Sequence, residues 1–126
     1  IANFGKFTGS VDLGNDFVSG NYIVKVSVEG YLTKQFQGTI NITKGQNNNL
    51  QLVNLITGDI DIDNTLSLLD YNLLISCSMF AKTDEQKSAC NSNPDVKILA
   101  DINDDGTIDQ IDYSYFLQEY SIQSGD

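Results

Sequence analysis

Apolar and polar residues alternate along the first half of the chain, from Phe7 to Leu55. Because successive side chains of a β-strand point to opposite faces, this alternation predicts strands with one buried face and one wet face. Short stretches rich in Gly, Asn and Asp interrupt the pattern and are typical of turns. The alternating positions are Phe7, Val11 and Leu13; Tyr22, Val24, Val26 and Val28; Phe36, Ile40 and Ile42; and Leu50 with Leu52, or Val53 with Leu55 if a bulge shifts the register. The pattern predicts four antiparallel strands.

The second half shows a helical spacing instead. Leu69, Leu73 and Cys77 recur at steps of four, and Ile111, Tyr115, Phe116 and Tyr120 make a matching stripe. Such spacing places side chains on one face of a helix, so it predicts two helices, the second with Asp109 as a candidate cap. An acidic segment precedes each helix. We expect no helix to enter either segment, because Gly58 and a strand-like stretch lead into the first.

Charge divides the chain in the same way. Residues 1–57 hold four Lys and three acidic residues, whereas residues 58–126 hold three Lys and fourteen acidic residues, within a net charge of −10. This balance argues against a nucleic-acid partner. No apolar run approaches the roughly 20 residues that span a bilayer. The absence of His excludes nucleophiles activated by imidazole, and we expect no enzymatic activity.

The acidic residues of the second half form a repeat with an offset of 42 residues. Residues 59–71 and 101–113 are identical at six of 13 positions. An EF-hand-type calcium loop takes its ligands from positions 1, 3, 5, 7, 9 and 12, with a backbone carbonyl at position 7 and often a water at position 9. The predicted ligands are Asp59, Asp61, Asp63, Thr65, Ser67 and Asp70 in the first loop and Asp101, Asn103, Asp105, Thr107, Asp109 and Asp112 in the second. The repeat predicts two bound Ca²⁺ ions.

Two further positions bear on these loops. Position 6 requires a sharp turn, which Gly106 makes freely and Asn64 less freely, so we expect some strain in the first loop. Position 8 is apolar in both copies, Leu66 and Ile108, as expected where paired loops are shielded from beneath. The alternative is a solvated acidic surface without metal, which does not explain a repeat in register.

The segment from Gly58 to Tyr71 carries the pattern G-D-x-(D/N)-x-D-(G/N)-T-(I/L)-x-x-x-D-Y, and residues 101–113 carry it without the leading Gly. In this respect the chain resembles the dockerin module of cellulosome-type assemblies over about residues 57–122. The resemblance implies an all-α domain of two loop–helix motifs over residues 57–126, two calcium ions and docking to a cohesin-type partner.

The sequence departs from dockerins at two places. The insertion from Met79 to Ala100 is longer than the usual linker. Positions 10 and 11, where cellulosomal dockerins often carry the Ser-Thr pair that cohesin recognises, are Leu68-Leu69 and Gln110-Ile111. Through the resemblance these four residues become candidates for partner binding, but the usual specificity does not carry over.

The first half contains the segments Gly20-Asn21-Tyr22, Val24-Lys25-Val26 and Gly30-Tyr31. They are similar to the G-x-Y-x-V-x-V and G-Y signature of carboxypeptidase-regulatory-like, transthyretin-type modules. The resemblance implies an antiparallel β-sandwich over residues 1–56, which is short for a fold of about seven strands. The alternatives are a truncated module, a compact four-stranded variant, or a sandwich that takes a strand from a neighbouring molecule. The chain begins with Ile, so we expect a processed chain or a piece of a longer one.

Cys77 and Cys90 are close enough in sequence to close a disulfide loop across the insertion, and two free thiols are the alternative. A disulfide and calcium sites suited to high external calcium both favour an extracellular location. We therefore expect a non-catalytic, secreted or cell-surface calcium-binding module that docks to a cohesin-type partner. The alternative is a structural subunit of a calcium-stabilised extracellular fibre or surface assembly that self-assembles by strand donation.

Overall fold

The computed structural model describes residues 8–124, with short strands in the first half and helices in the second. The strands are β1 (Gly20–Tyr22), β2 (Lys25–Val26), β3 (Lys34–Gln35) and β4 (Ile40–Ile42); the helices are α1 (Leu68–Cys77), α2 (Asp84–Ser92), α3 (Pro94–Ala100) and α4 (Gln110–Ser124). No helix in the described part of the chain is both long and apolar enough to cross a membrane.

The four strands form two separate antiparallel ribbons. β1 pairs with β4, with Tyr22 opposite Ile40, and β2 pairs with β3, with Val26 opposite Lys34. The prediction of an N-terminal antiparallel β-sandwich, complete or incomplete, is therefore wrong: the chain is mixed α/β, with two two-stranded sheets. A two-stranded ribbon offers no second layer against which an apolar face is buried.

The alternation at both ends of the first half does not produce strands in the described residues. Val11 is 84% exposed and Leu52 is 71% exposed, so these apolar side chains gain little from pairing into a sheet. Phe36, in contrast, is buried, and its backbone N–H donates to the carbonyl of Val24 at 2.9 Å. Phe7, which begins the first predicted strand, lies outside the described residues.

The hydrophobic core lies in the second half. Its buried members come from both acidic loops and from three of the helices: Ile60, Leu66, Leu74, Val96, Ala100, Ile108 and Phe116. Leu66 and Ile108, the apolar residues at position 8 of the two loops, are both in this core, as the sequence predicts. Leu32 and Ile56 from the first half pack against it. The first half therefore packs against this core through partly buried side chains, and its described residues contribute none of the fully buried members.

The all-α C-terminal pair predicted from the sequence is also wrong. The segment that leads into the first loop is extended and pairs with the first half, through a bridge between Tyr31 and Thr57 and a bond from the Leu32 N–H to the Ile56 carbonyl at 2.8 Å. The insertion forms α2 and α3. Helix α3 ends at Ala100 and leads directly into the second loop. The prediction that no helix precedes either loop is therefore wrong for the second loop.

Candidate metal centre

The first acidic loop is organised by the carboxylate of Asp59, which is 2% exposed. Its Oδ1 accepts the N–H of Asp63 at 3.1 Å and its Oδ2 accepts the N–H of Asn64 at 3.0 Å. Asp63 Oδ1 in turn accepts the N–H of Thr65 at 2.7 Å. Each aspartate thus bonds to the backbone a few residues ahead, which curls the loop and directs its carboxylates inward.

Asp70 joins the end of this loop to the start of α1 and is fully buried. Its Oδ1 accepts the N–H of Asp61 at 3.2 Å, and its Oδ2 accepts the N–H of Ser67 at 2.8 Å. The hydroxyl of Ser67 caps the helix by accepting the N–H of Leu69 at 3.1 Å. The capping box of α1 and the closure of the loop therefore use the same two residues.

The second loop repeats this network at an offset of 42 residues. Asp101 accepts the N–H groups of Asp105 and Gly106 at 3.1 and 2.8 Å, and Asp112 accepts those of Asn103 and Asp109 at 3.2 and 2.9 Å. Thr107 donates its N–H to Asp105 Oδ1 at 2.8 Å, as Thr65 does to Asp63. The sequence repeat is therefore a repeat of backbone geometry. The expected cap is confirmed, since Asp109 Oδ1 accepts the N–H of Ile111 at 2.8 Å.

In both loops, the residues at loop positions 4 and 6 adopt left-handed backbone conformations. Position 6 has φ values of 63° at Asn64 and 88° at Gly106, as its turn requires, and position 4 has 61° at Ile62 and 57° at Asp104. A β-branched residue such as Ile rarely adopts this conformation. Strain in the first loop was expected at Asn64, whereas Ile62 is the more strained residue. The alignment of Ile62 with Asp104 carries no signal that would have revealed this.

The carboxylate oxygens of Asp59, Asp61 and Asp63 offer one ligand atom each, and these atoms lie within 4.8 Å of one another. Two ligands bound to one Ca²⁺ at about 2.3 to 2.6 Å are at most about 5.2 Å apart, so a single ion fits among them. The donor set is oxygen alone, as a hard cation prefers. Asp70 lies outside this group: its Oδ1 accepts the N–H groups of Ile60 and Asp61 at 2.8 and 3.2 Å, and its Oδ2 accepts the N–H and the hydroxyl of Ser67 at 2.8 and 3.2 Å. Both lone pairs of each Asp70 oxygen are therefore engaged by the loop itself.

The electrostatics of the first loop disfavour its charged state. Burial raises the pKa of Asp59, and the nearby charges of Asp70 and Asp63 raise it further, although the N–H groups of Asn64 and Asp63 act in the opposite direction. Burial likewise raises the pKa of Asp61, with a further contribution from the charge of Asp70. These carboxylates are held together at a cost that a bound cation would offset.

In the second loop, the described residues form no comparable group of three carboxylates. Thr65 and Thr107 are exposed, and Ser67 and Asp109 are half-buried at the starts of α1 and α4. The helices that follow the two loops are in contact, since the rings of Tyr71 in α1 and Tyr113 in α4 lie 6.0 Å apart between centroids. A hydrogen bond with Tyr113 raises the pKa of Tyr71. These two tyrosines are equivalent residues of the repeat, so the two copies contact each other through matching positions.

The four candidate partner-binding residues lie at the exposed starts of the two main helices. Leu68 is 67% exposed, Leu69 61% and Ile111 48%, and Gln110 is also exposed. None of the three apolar side chains is in the core cluster. The beginning of each helix thus presents apolar surface beside an acidic loop.

The predicted disulfide between Cys77 and Cys90 is confirmed, and neither thiol is free. It joins the end of α1 to α2, with the two Cα atoms 5.1 Å apart. The hydroxyl of Ser76 supports the same contact by accepting the N–H of Cys90 at 3.0 Å.

No protein-family model, curated protein or solved structure matches this chain. The interpretation of the two loops therefore depends on their residues and geometry.

Proposed function

We propose that this chain is a non-catalytic, dockerin-like calcium-binding module that binds two Ca²⁺ ions and docks to a protein partner of the cohesin type. One observation carries the proposal. Two acidic loops, 42 residues apart, share their hydrogen-bond network and their left-handed positions, and three carboxylates of the first loop lie close enough together to hold one cation. A solvated acidic surface does not require this correspondence, whereas two equivalent cation sites do.

Calcium would act mainly on folding. Asp59 and Asp70 are buried in one loop and Asp112 is buried in the other, so the folded chain concentrates negative charge where water is excluded. A cation that binds these carboxylates stabilises the folded state, because the unfolded chain does not hold the ligands together. Asp70 bonds both to the loop residues Ile60 and Asp61 and, in the capping box of α1, to Ser67, so an ion that orders the loop would also fix the start of the helix that follows.

Docking would use the helix starts that the loops hold in place. Leu68, Leu69 and Ile111 are exposed there, and exposed apolar groups with a polar surround are typical of protein-binding surfaces. We infer an apolar partner surface with a basic rim, which would complement the acidic loops. The disulfide between Cys77 and Cys90 supports an extracellular location, where external calcium would keep both sites filled.

Thermal unfolding with and without calcium tests the proposal. At a hundredfold excess of calcium over Kd, each site stabilises the fold by about 2.7 kcal/mol. We expect excess calcium to raise Tm above its value in EDTA by on the order of 10–20 °C. NaCl at matched ionic strength is the control for simple screening of like charges. An equal Tm in calcium and in EDTA would contradict the proposal.

Self-assembly into an extracellular fibre or surface structure is a second candidate. It is favoured by the exposure of apolar residues in the first half, Val11 at 84%, Val18 at 70% and Leu52 at 71%, beside ribbons of only two strands. Unpaired strand edges are templates for strand addition. Size-exclusion chromatography separates the candidates. A chain that stays monomeric in calcium supports docking to a different protein, whereas calcium-dependent growth of the chain alone supports self-assembly.

A further inference from the structure

The first acidic loop is attached to the N-terminal half by backbone hydrogen bonds. The carbonyl of Gly30 accepts the N–H groups of Gly58 and Asp59 at 3.0 and 3.2 Å. On the opposite side, the N–H of Leu32 donates to the carbonyl of Ile56 at 2.8 Å. The first candidate ligand, Asp59, is thus itself bonded to the N-terminal half.

Asn64 adds a contact from inside the loop. Its side-chain Oδ1 accepts the backbone N–H of Thr33 at 2.6 Å, while its own N–H donates to Asp59. The equivalent residue of the second loop is Gly106, where an added side-chain carbon would meet nothing within 4 Å. A side chain at position 6 therefore has a partner in the first loop and open space in the second.

Position 4 shows the same difference between the loops. Ile62, strained at a φ of 61°, lines a cleft of about 410 Å³ between the first loop and the N-terminal half, together with Asn64. Val28, Tyr31 and Thr33 line it from the other side. Asp104, the equivalent of Ile62, is exposed. The two loops thus differ in residue type at both left-handed positions. In the first loop, the residues at these positions, Ile62 and Asn64, both face the N-terminal half.

We propose that the first loop is a calcium-dependent joint, in which ion binding fixes the segment Gly30–Thr33 against the loop and Asn64 is the positioning residue that transmits the effect. This inference rests on the proposed function, because it requires calcium in the first loop. An ion that draws Asp59, Asp61 and Asp63 together holds the Asn64 backbone in its left-handed turn and so keeps Oδ1 facing Thr33. By linkage, attachment of the N-terminal half raises the calcium affinity of this loop by the same factor.

Amide hydrogen exchange of the whole chain, in calcium and in EDTA, tests the joint. We expect calcium to slow exchange at Leu32 and Thr33 by about 5- to 150-fold, the range typical of coupled sites. Phe36 is the internal control, because its N–H donates to the carbonyl of Val24, away from the first loop, and its exchange rate should change little. In Asn64→Gly, which keeps the turn but removes the acceptor, the calcium effect at Thr33 should be lost while α1 and α4 remain protected by calcium.

Gly106→Asn is the matched control, because it places the same side chain in the loop that has no partner for it, and exchange at Thr33 should be as in the wild type. The joint is contradicted if calcium protects α1 and α4 but not Thr33, or if Asn64→Gly leaves the effect at Thr33 intact. If calcium changes exchange nowhere in the wild type, the proposed function itself fails.

Discussion

At the scale of single residues, Gly58 shows why the two repeats begin differently. Its φ is 105°, and an added side-chain carbon would lie 3.0 Å from Phe116 Cδ2 and 3.1 Å from Leu66 Cδ1. The equivalent residue before the second loop is Ala100, which is buried at the end of α3. An extended entry against the core requires Gly, whereas a helical entry accepts Ala. The second motif therefore does not need a Gly before its first Asp, because a helix precedes it.

This difference predicts unequal costs for the same substitution at two glycines. The added methyl group of Gly106→Ala has open space around it, so only the left-handed backbone conformation opposes the substitution. We expect the free energy of unfolding to fall by about 1–2 kcal/mol. Gly58→Ala has the same unfavourable backbone conformation, and its methyl group also crowds Phe116 and Leu66. The crowding should lower the free energy of unfolding by a further amount of about 1–3 kcal/mol. Urea unfolding of both variants in calcium would measure the difference. Equal losses, or a larger loss for Gly106→Ala, would contradict the packing assigned to Gly58.

At the scale of elements, α2 depends on its attachments more than on burial. None of its residues is buried, and its start is held by a capping box between Thr83 and Gln86. The disulfide and the bond from the Cys90 N–H to Ser76 connect it to α1. Beyond α2 the chain enters α3, which contributes Val96 and Ala100 to the core and leads into the second loop.

Removal of the disulfide in a Cys77→Ser, Cys90→Ser variant should therefore lower the free energy of unfolding by about 3 kcal/mol, the chain-entropy value for a loop of this length. Amide exchange should increase first in α2, because that helix has no buried face to retain it. Helix α4, which the disulfide does not join, is the internal control. An α2 that stays as protected as α4 after both cysteines are replaced would contradict this account.

The elements differ in how far the sequence predicts them. α1 and α4 follow from apolar residues at helical spacing, and both loops follow from a repeat in which each carboxylate has its own backbone partner. α2 was missed because its apolar content is low, and α3 because its seven residues make only about two turns, too few for a periodic pattern to show. Their signals, Thr83 with Gln86 and Asn93 before Pro94, were local caps within a polar insertion. The β-sandwich was predicted wrongly because alternation marks a strand face only where a second layer covers it, and residues such as Val11 and Leu52 have none.

At the scale of the whole molecule, the negative charge and the hydrophobic core lie in the same half of the chain. Fourteen of the 17 acidic residues lie in residues 58–126, which also contain nearly all of the buried hydrophobic residues. A fold that concentrates like charges around its own core is destabilised by their repulsion unless a cation binds among them. The N-terminal half packs onto this charged region through Leu32 and Ile56.

The most direct test is a count of calcium ions by isothermal titration calorimetry. The wild-type chain should bind two, and Asp105→Ala should bind one, because it removes a ligand from the second loop only. Asp104→Asn is the matched control: it removes one negative charge from the neighbouring exposed residue, which is not a predicted ligand, and should still bind two. A wild-type chain that binds no calcium, or an Asp105→Ala variant that still binds two ions, would contradict the account.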